Sequence, residues 1–366
     1  MAIGYGKMLF FVQQVLPGWR LTRQRNLALL ALGIAGVRDA HLTVAEIARA
    51  IPARTDHHCK YKRIWRFLSN PLWSPTELFP HLMRFLLKRF YPKQRVPVII
   101  DQSTIRGRWE VLWASIPFRG RALPIAFRLF AYADISRDPE GTMHKIEDSF
   151  VRQVVQAMPK RLPILLLFDR GYARVSLFKV LDELGVEYVV RVPKNVWVQY
   201  GKAYEGILAD IPVTRGAQMW WSRTLYHQKK RYTVNLAITL NATAEEPWYL
   251  ATNLKRASTT VRWYERRFRC EELFRDLKDQ LHLETIRIQN RQRVIRLIFG
   301  MMILYCALTL VGAIVQQRGL RKKVCQDRVS LVWLALRAIF MPWFLSRDLI
   351  CHALFSRCWS LSYETG

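Results

Sequence analysis

The stretch PILLLFDRGY, residues 163–172, joins a short apolar run to a polar stop. A run of this length with polar residues at its end is typical of a strand buried on both faces of a sheet. A second run, RVPVII, residues 95–100, stops in the same way at Asp101. Carboxyl ends of adjacent buried strands meet at one edge of a sheet, so the two runs predict that Asp101 and Asp169 lie together there. A single aspartate at a strand end is more often a turn former or a helix cap, and that alternative remains open for each.

The segments around these runs predict a mixed α/β fold. EVLWASIPF and ALPIAFRLFAYADI, joined by the basic turn at residues 119–121, form a predicted hairpin. IEDSFVRQVVQAM and SLFKVLDELGV have helical periodicity, and EYVVRV is a further strand. The predicted order is therefore three strands, a helix, a strand, a helix and a strand.

Residues 20–92 are predicted to be helical throughout. LTVAEIARAI, PARTD and HHCKYKRIWRFLSN have the lengths of a helix-turn-helix, in which Thr43 caps the first helix and Glu46 closes a capping box. The second helix would present a set of basic side chains to DNA: Lys60, Lys62, Arg63 and Arg66. A helical hairpin that binds nothing is the alternative.

The remaining segments differ in character. WVQY, QMWWSRTLY, YTVNLAITL and PWYLATNL predict a β-rich region between residues 195 and 254. Helical periodicity returns at Thr259, and the chain from Arg291 onward is again helical. Residues 297–315 carry no charge and are long enough to span a membrane. We favour a helix buried in a large core, because the rest of the chain has the composition of a soluble basic protein.

Charge indicates the class of partner. The 366 residues include 57 Lys and Arg against 28 Asp and Glu, a formal net charge of +29. A polyanion is the expected partner, with binding that weakens steeply in salt. A ribosome-like binder and a membrane-surface protein are compatible with the same charge. The six cysteines are scattered without a CxxC pair, which argues against a zinc site or a disulfide framework and favours a reducing cytosol.

A third acid comes from residues 264–278, YERRFRCEELFRDLK. At about 100° per residue, four side chains of a regular helix fall within an arc of about 60°: Tyr264, Arg267, Glu271 and Lys278. Glu272 falls well outside that arc. The pattern predicts that Glu271 shares a stripe with two cations beside the buried face, whereas Glu272 points elsewhere.

Three convergent carboxylates in a basic protein suit two-metal phosphoryl transfer. Hard oxygen ligands hold two Mg²⁺ ions roughly 4 Å apart, which activate the attacking oxygen and stabilise the leaving one. Neighbouring cations would hold the phosphates of the nucleic acid strand.

These residues resemble a known family. Tyr264-x2-Arg267-x3-Glu271-x6-Lys278 is similar to the Y-(2)-R-(3)-E-(6)-K signature of DDE transposases of the insertion-sequence-four (IS4-like) type. Asp101 in IIDQST and Asp169 in LLLFDRGY resemble the first and second acids of that family, in the right order. The resemblance extends over most of residues 40–290.

The resemblance implies an α/β fold with an RNase H-like mixed-sheet catalytic core, a β-rich insertion domain, an N-terminal helical DNA-binding domain and C-terminal helices. The expected boundaries are listed in chain order: 1–94 for the DNA-binding domain, 95–194 for the first part of the core, 195–255 for the insertion, 256–315 for the second part of the core and 316–366 for the C-terminal helical region.

The resemblance also implies a function. It is cut-and-paste transposition of an insertion sequence: nicking at the element ends, a hairpin intermediate and strand transfer. Two Mg²⁺ ions, with Mn²⁺ as a substitute, would be held by Asp101, Asp169 and Glu271, the catalytic residues. The expected partners are double-stranded DNA, both the terminal inverted repeats and the target, and a second copy of the chain in a homodimer on paired ends. The expected location is the bacterial cytoplasm, associated with the nucleoid and without a membrane. A degenerate copy that only occupies the element ends is the alternative.

Five further DNA contacts follow from the resemblance or stand beside it. Tyr264, Arg267 and Lys278 would contact phosphates near the transferred end. Trp248, in WYLATN, resembles a tryptophan on which a flipped base stacks during hairpin formation, although a core tryptophan in a strand fits the same pattern. Arg170, beside the second acid, could reach a phosphate or remain an ordinary exposed arginine.

Overall fold

The N-terminal quarter of the protein is helical. The computed structural model describes residues 2–37, 41–92, 94–137, 141–242, 244–325 and 329–338. Within them, five α-helices precede the first strand: α1 (Ala2–Val15), α2 (Leu21–Gly36), α3 (Val44–Ala50), α4 (His57–Ser69) and α5 (Pro75–Phe90).

The predicted helix-turn-helix corresponds to α3 and α4. The Thr43 hydroxyl accepts a hydrogen bond from the Glu46 amide at 3.1 Å, so Thr43 caps α3 as predicted. The Glu46 side chain pairs with Arg49 rather than closing a capping box. The Asp56 carboxylate accepts from the amides of His58 and Cys59 and thereby starts α4.

A ten-stranded sheet follows, with two helices inserted between strands. The strands are β1 (Val96–Ile105), β2 (Trp109–Phe118), β3 (Arg121–Phe130), β4 (Ile164–Phe168), β5 (Glu187–Arg191), β6 (Trp197–Tyr200), β7 (Tyr204–Ile207), β8 (Gln218–Tyr226), β9 (Tyr232–Thr239) and β10 (Trp248–Thr252). Helix α6 (Met143–Ala157) precedes β4, and α7 (Val175–Glu183) precedes β5.

The sheet confirms the predicted mixed α/β class. Its strand order is β3-β2-β1-β4-β5-β10-β9-β8-β6-β7, in which β1, β4 and β5 are parallel and the other pairs are antiparallel. The first five strands have the order and directions expected of an RNase H-like core. The strands of the predicted β-rich region, β6 to β10, continue the same sheet through the pairing of β10 with β5.

The helix predicted to carry the third acid is not regular. Helix α8 (Ala257–Glu265) is followed by a 3₁₀ turn at Arg266–Phe268, then by α9 (Arg269–Arg275), and then by a π-helical turn at Asp276–Gln280. The prediction of a continuous α-helix through Lys278 is therefore wrong. A π turn contains more residues than an α turn, so side chains beyond it no longer follow the 100° spacing.

The apolar segment 297–315 lies within α10 (Arg291–Gln317), and 89% of its most apolar window is buried inside the protein. This supports the interpretation as a buried helix. Arg296 of α10 donates to the backbone oxygens of Leu68 (3.0 Å) and Trp73 (3.3 Å), which fastens α10 to the N-terminal helices.

Two short helices follow α10: α11 (Arg321–Val324) and α12 (Leu331–Ala338). Of the predicted C-terminal helical region, residues 339–366 lie outside the described residues.

Candidate active site

The two aspartates are neighbours at the edge of the sheet. Strand β1 pairs with β4 in parallel from Val96 to Ile100. The partner of Ile100 is Phe168, so the residues that follow these two in the chain, Asp101 and Asp169, lie side by side. Strand β4 stops there, whereas β1 continues to Ile105 because residues 101–105 still pair with β2. The prediction that β1 ends at Asp101 is thus wrong, but the two carboxylates do share the expected edge.

Asp101 is held from three sides. Its Oδ2 accepts hydrogen bonds from Arg267 Nη1 and from the Cys270 thiol, both at 2.8 Å, and its Oδ1 accepts from the Gln102 amide at 2.9 Å. Burial raises the pKa of Asp101, and the nearby Arg267 charge opposes that rise. The carboxylate is therefore fixed in one orientation.

Tyr264 connects the helical segment to the second aspartate. Its hydroxyl donates to Asp169 Oδ1 over 3.4 Å, which is a long hydrogen bond, and its side chain is fully buried. Burial also raises the pKa of Tyr264, so the phenol keeps its proton as a donor.

Arg267 joins Asp101 to the third acid. Only 5% of Arg267 is exposed, and its Nη2 donates to Glu271 Oε1 at 3.3 Å. The Glu271 side chain is 53% exposed. The structure thus brings Asp101, Asp169, Tyr264, Arg267 and Glu271 into one cluster.

Glu272 is directed away from this cluster, as the helical geometry predicted. Its carboxylate pairs with Arg121 at 2.5 Å and with Arg275 at 3.0 Å. The adjacent glutamates therefore have different environments: Glu271 is the more exposed and faces the aspartates through Arg267, while Glu272 belongs to a partly buried ion-pair network.

Lys278 does not join the cluster. It lies in the π-helical turn, and its Nζ pairs with Glu284 Oε1 at 2.8 Å. The other oxygen of Glu284 accepts from the Arg106 amide at the β1–β2 turn, also at 2.8 Å. The predicted stripe is correct for its first three residues and wrong for Lys278, because the π turn rotates this side chain away.

Trp248 is half-buried at the start of β10. Its ring packs edge-on against Tyr264 with centroids 5.2 Å apart and stacks on Phe268 at 5.5 Å. Trp248 thus borders the cluster through Tyr264.

The other predicted contacts are more distant or more exposed. Arg170 is an exposed residue in the turn after Asp169. On α4, Lys62 and Arg66 are exposed, whereas Lys60 donates to the Ile51 backbone oxygen and Arg63 to the Asn26 side chain. These four side chains belong to the N-terminal helices rather than to the aspartate cluster.

Two residues of the cluster were missed in the sequence. Arg191 ends β5, the strand next to β4, and its charge acts on Tyr264. The signal that predicts the aspartates, a polar residue at the end of a short apolar strand, applies equally to Arg191. Cys270 follows Arg267 by three residues on the buried side of the helix, and the sequence has no CxxC pair or other local pattern that would link its thiol to Asp101.

Two of the three acids, Asp101 and Asp169, are placed so that they could bind a divalent cation. Asp101 and Asp169 supply hard oxygens from adjacent strand ends, which suits Mg²⁺. In the described part of the chain, no group of three or more His, Cys, Asp or Glu side chains is arranged to hold a metal. Glu271 is linked to Asp101 through Arg267, which donates to an oxygen of each carboxylate.

One family of known proteins matches part of the chain. No curated protein matches the chain. Residues 144–307, somewhat less than half of the sequence, match the family model described as the transposase DDE domain. The matched range contains Asp169, Tyr264, Arg267 and Glu271, while Asp101 lies upstream of it. The match, together with the ten-stranded mixed sheet, supports a DDE transposase.

Proposed function

We propose that this protein is an insertion-sequence transposase of the insertion-sequence-four type, which cuts DNA at the ends of its element and joins them to a target. The observation that carries the proposal is the placement of Asp101 and Asp169 side by side, where the parallel pairing of β1 with β4 stops, in contact with Tyr264 and Arg267 and, through Arg267, with Glu271. The family match supports the same class of enzyme.

Two divalent cations, Mg²⁺ or Mn²⁺, would supply activation of the attacking hydroxyl and neutralisation of the leaving oxygen. Asp101 and Asp169 would hold them with the least rearrangement. Glu271 would complete the ligand set by turning away from Arg267. That turn costs little, because an ion pair at 3.3 Å whose acid is half-exposed contributes about 0–1 kcal/mol.

The same turn releases a cation for DNA. Once Glu271 leaves, Nη2 of Arg267 can donate to a phosphate oxygen, and a guanidinium is well suited to that contact. Tyr264 and Arg191 lie beside it, so donors would surround a phosphate next to the acids. Lys278 would join them after leaving Glu284.

The remaining parts of the proposal concern the assembly. Residues 1–94 would bind the terminal inverted repeats through α4, whose Lys62 and Arg66 are exposed. A homodimer would hold two ends, as in the resembling family, and the net charge of +29 suits a large DNA interface in the bacterial nucleoid.

Cleavage of supercoiled DNA tests the catalytic assignment. A plasmid carrying the coding sequence with its own flanking DNA is incubated with the protein and Mg²⁺ or Mn²⁺. We expect nicks at the element ends, with Asp101→Asn and Asp169→Asn abolishing them while salt-dependent DNA binding is retained. Cleavage by both variants at the rate of the parent would refute the assignment. Binding by the parent without any metal-dependent nicking would favour a degenerate copy that only occupies the ends.

The hairpin step is tested at Trp248. We propose that an extruded base stacks on this ring, in a contact worth roughly 1–3 kcal/mol. Trp248→Ala should therefore slow hairpin formation more than first-strand nicking. Equal slowing of both steps would leave Trp248 with only its packing against Tyr264 and Phe268.

A further inference from the structure

A buried polar cluster includes residues of the connection that follows Asp169. After Asp169 the chain makes a 3₁₀ turn at Arg170–Tyr172 and enters α7 at Val175. Arg174, the last residue of this connection, reaches the first turns of α6. It contacts Glu147 at 2.5 Å, the Asp148 carboxylate, and the His144 backbone oxygen at 3.2 Å. The connection that carries Asp169 is thus anchored to α6.

Tyr172 lies inside this cluster. Its ring packs on Phe168, the last residue of β4, with centroids 5.3 Å apart, and only 5% of the residue is exposed. Its hydroxyl is buried and has no hydrogen-bond partner among the described residues. Burial raises the pKa of Tyr172 well above its usual value, and the charges of Glu147, Asp101 and Asp169 raise it further. The hydroxyl is therefore a protonated donor within electrostatic reach of both aspartates.

Packing does not explain this hydroxyl. Phenylalanine would fill the same space against Phe168 without burying an unpaired donor, and an unpaired buried donor destabilises the fold. Glu147 Oε2 and Arg174 Nη1 form an ion pair at 2.5 Å, whereas Arg174 Nε is a second buried donor without a hydrogen bond. Buried donors of this kind beside carboxylates are typical of a site that holds an ordered water, which needs two to four polar partners.

We propose that Tyr172 is a positioning residue for the two aspartates, acting through a buried water that its hydroxyl shares with Glu147 and with the carboxylates of Asp101 and Asp169. This rests on the proposed function for its consequence, since the aspartates are positioned for the cations they would hold. Partners of this kind orient metal ligands, and their loss typically weakens metal affinity or activity about 10–100-fold.

The test compares Tyr172→Phe with a matched control. Tyr305→Phe removes another buried hydroxyl, one whose charged neighbours are Asp276 and Arg121 rather than the two aspartates. Mn²⁺ binding is titrated by electron paramagnetic resonance on the full chain, alone and with plasmid DNA, and thermal unfolding is followed for each variant.

We expect Tyr172→Phe to remain folded, with a melting temperature close to that of the parent. We also expect its Mn²⁺ half-saturation concentration and its nicking rate to worsen by about tenfold or more. Tyr305→Phe should match the parent in both. Parent-like Mn²⁺ binding and nicking by Tyr172→Phe would overturn the proposal, because they are the result expected if the residue only packs.

A second measurement does not depend on catalysis. In a crystal structure of the parent that shows ordered solvent, a water should lie within hydrogen-bond distance of Tyr172 Oη and of an oxygen of Asp101 or Asp169, and it should be absent from Tyr172→Phe. Direct donation from Tyr172 to Glu147, with no such water, would overturn the proposal. If the parent neither binds Mn²⁺ nor nicks DNA, the proposed function fails, while the water still decides the role of Tyr172.

Discussion

The adjacent glutamates of α9 offer a perturbation in which stability and activity should separate. Glu271→Gln and Glu272→Gln each remove one charge from neighbouring positions and keep the size of the side chain. The structure gives the two carboxylates different partners, so each substitution should damage a different property.

The stability terms follow from exposure and geometry. Glu271 is 53% exposed and, among the described residues, pairs with Arg267 alone, at 3.3 Å, so its loss should change the free energy of unfolding by no more than about 1 kcal/mol. Glu272 is 25% exposed and pairs with Arg121 at 2.5 Å and Arg275 at 3.0 Å. Its loss leaves the 17%-exposed Arg121 with Asp276 alone, and we expect a cost of about 1–2 kcal/mol, between the values for surface and buried pairs.

For the nicking rate, we expect the larger loss in Glu271→Gln and not in Glu272→Gln. If Glu271 completes the metal site, Glu271→Gln should lower the nicking rate by at least about 100-fold, the upper end of what even an indirect partner of a metal costs. Glu272→Gln should nick at the rate of the parent below its unfolding transition. Urea unfolding followed by tryptophan fluorescence gives the first quantity, and nicking of supercoiled plasmid gives the second. Equal loss of nicking in both variants, or greater destabilisation by Glu271→Gln, would refute the separation of the two glutamates.

Three further substitutions test other parts of the structure. Glu284→Gln should free Lys278 from its ion pair and tighten DNA binding at low salt by about two- to fivefold, which corresponds to the energy of an exposed ion pair. If the effect acts through that lysine, the same substitution in a Lys278→Ala background should give no gain. Asp276→Asn should flatten the pH dependence of the free energy of unfolding. Burial raises the folded pKa of Asp276 above 3.8, so the folded state binds the extra proton, and the parent loses stability relative to the variant as pH rises from about 3.8 through that pKa. Urea unfolding at several pH values measures this difference, and parallel curves for parent and variant would contradict it. Gly312→Ala should destabilise the protein by about 1–3 kcal/mol, because a Cβ there would lie 2.0 Å from the Leu331 backbone oxygen of α12. Gly6→Ala, in α1, meets nothing within 4 Å and should leave stability unchanged or raise it by up to about 1 kcal/mol in the same unfolding assay.

The strand-end positions of the site could be predicted because they depend on a local signal. A short apolar run followed by a polar residue marks a buried strand and its end, and parallel pairing then places Asp101 and Asp169 side by side. The continuation of β1 to Ile105 could not be predicted in this way. It depends on pairing with β2, and residues 102–104, Gln-Ser-Thr, carry no apolar signal of their own.

Helical periodicity predicted part of the helical segment that contributes the third acid to the site. The spacing from Tyr264 to Arg267 to Glu271 survives a 3₁₀ turn, and these residues do converge. The helical periodicity fails at Lys278, because this residue lies in a π turn. The π turn is stabilised by the packing around it, in which buried Asp276 pairs with Arg121 of β3. Such a turn leaves no period in the sequence. The arginine–acid network that surrounds it joins residues about 150 positions apart, which a local pattern cannot reveal.

The position of Arg267 explains how a cluster of acids can exist in the folded chain. Two strand-end aspartates at adjacent positions repel one another when ionised, and burial of Asp101 adds a desolvation cost. A buried arginine bridging Asp101 and Glu271 opposes both terms, while burial still keeps the pKa of Asp101 raised. Yet Asp101 Oδ2 already accepts from Arg267 and Cys270, and it cannot serve a cation without giving up at least one of them. A phosphate is the group that can take the released guanidinium without leaving it unpaired in the interior. Under the proposed function, the residue that pairs with the acids in the free protein would therefore transfer its pairing to a phosphate when DNA binds.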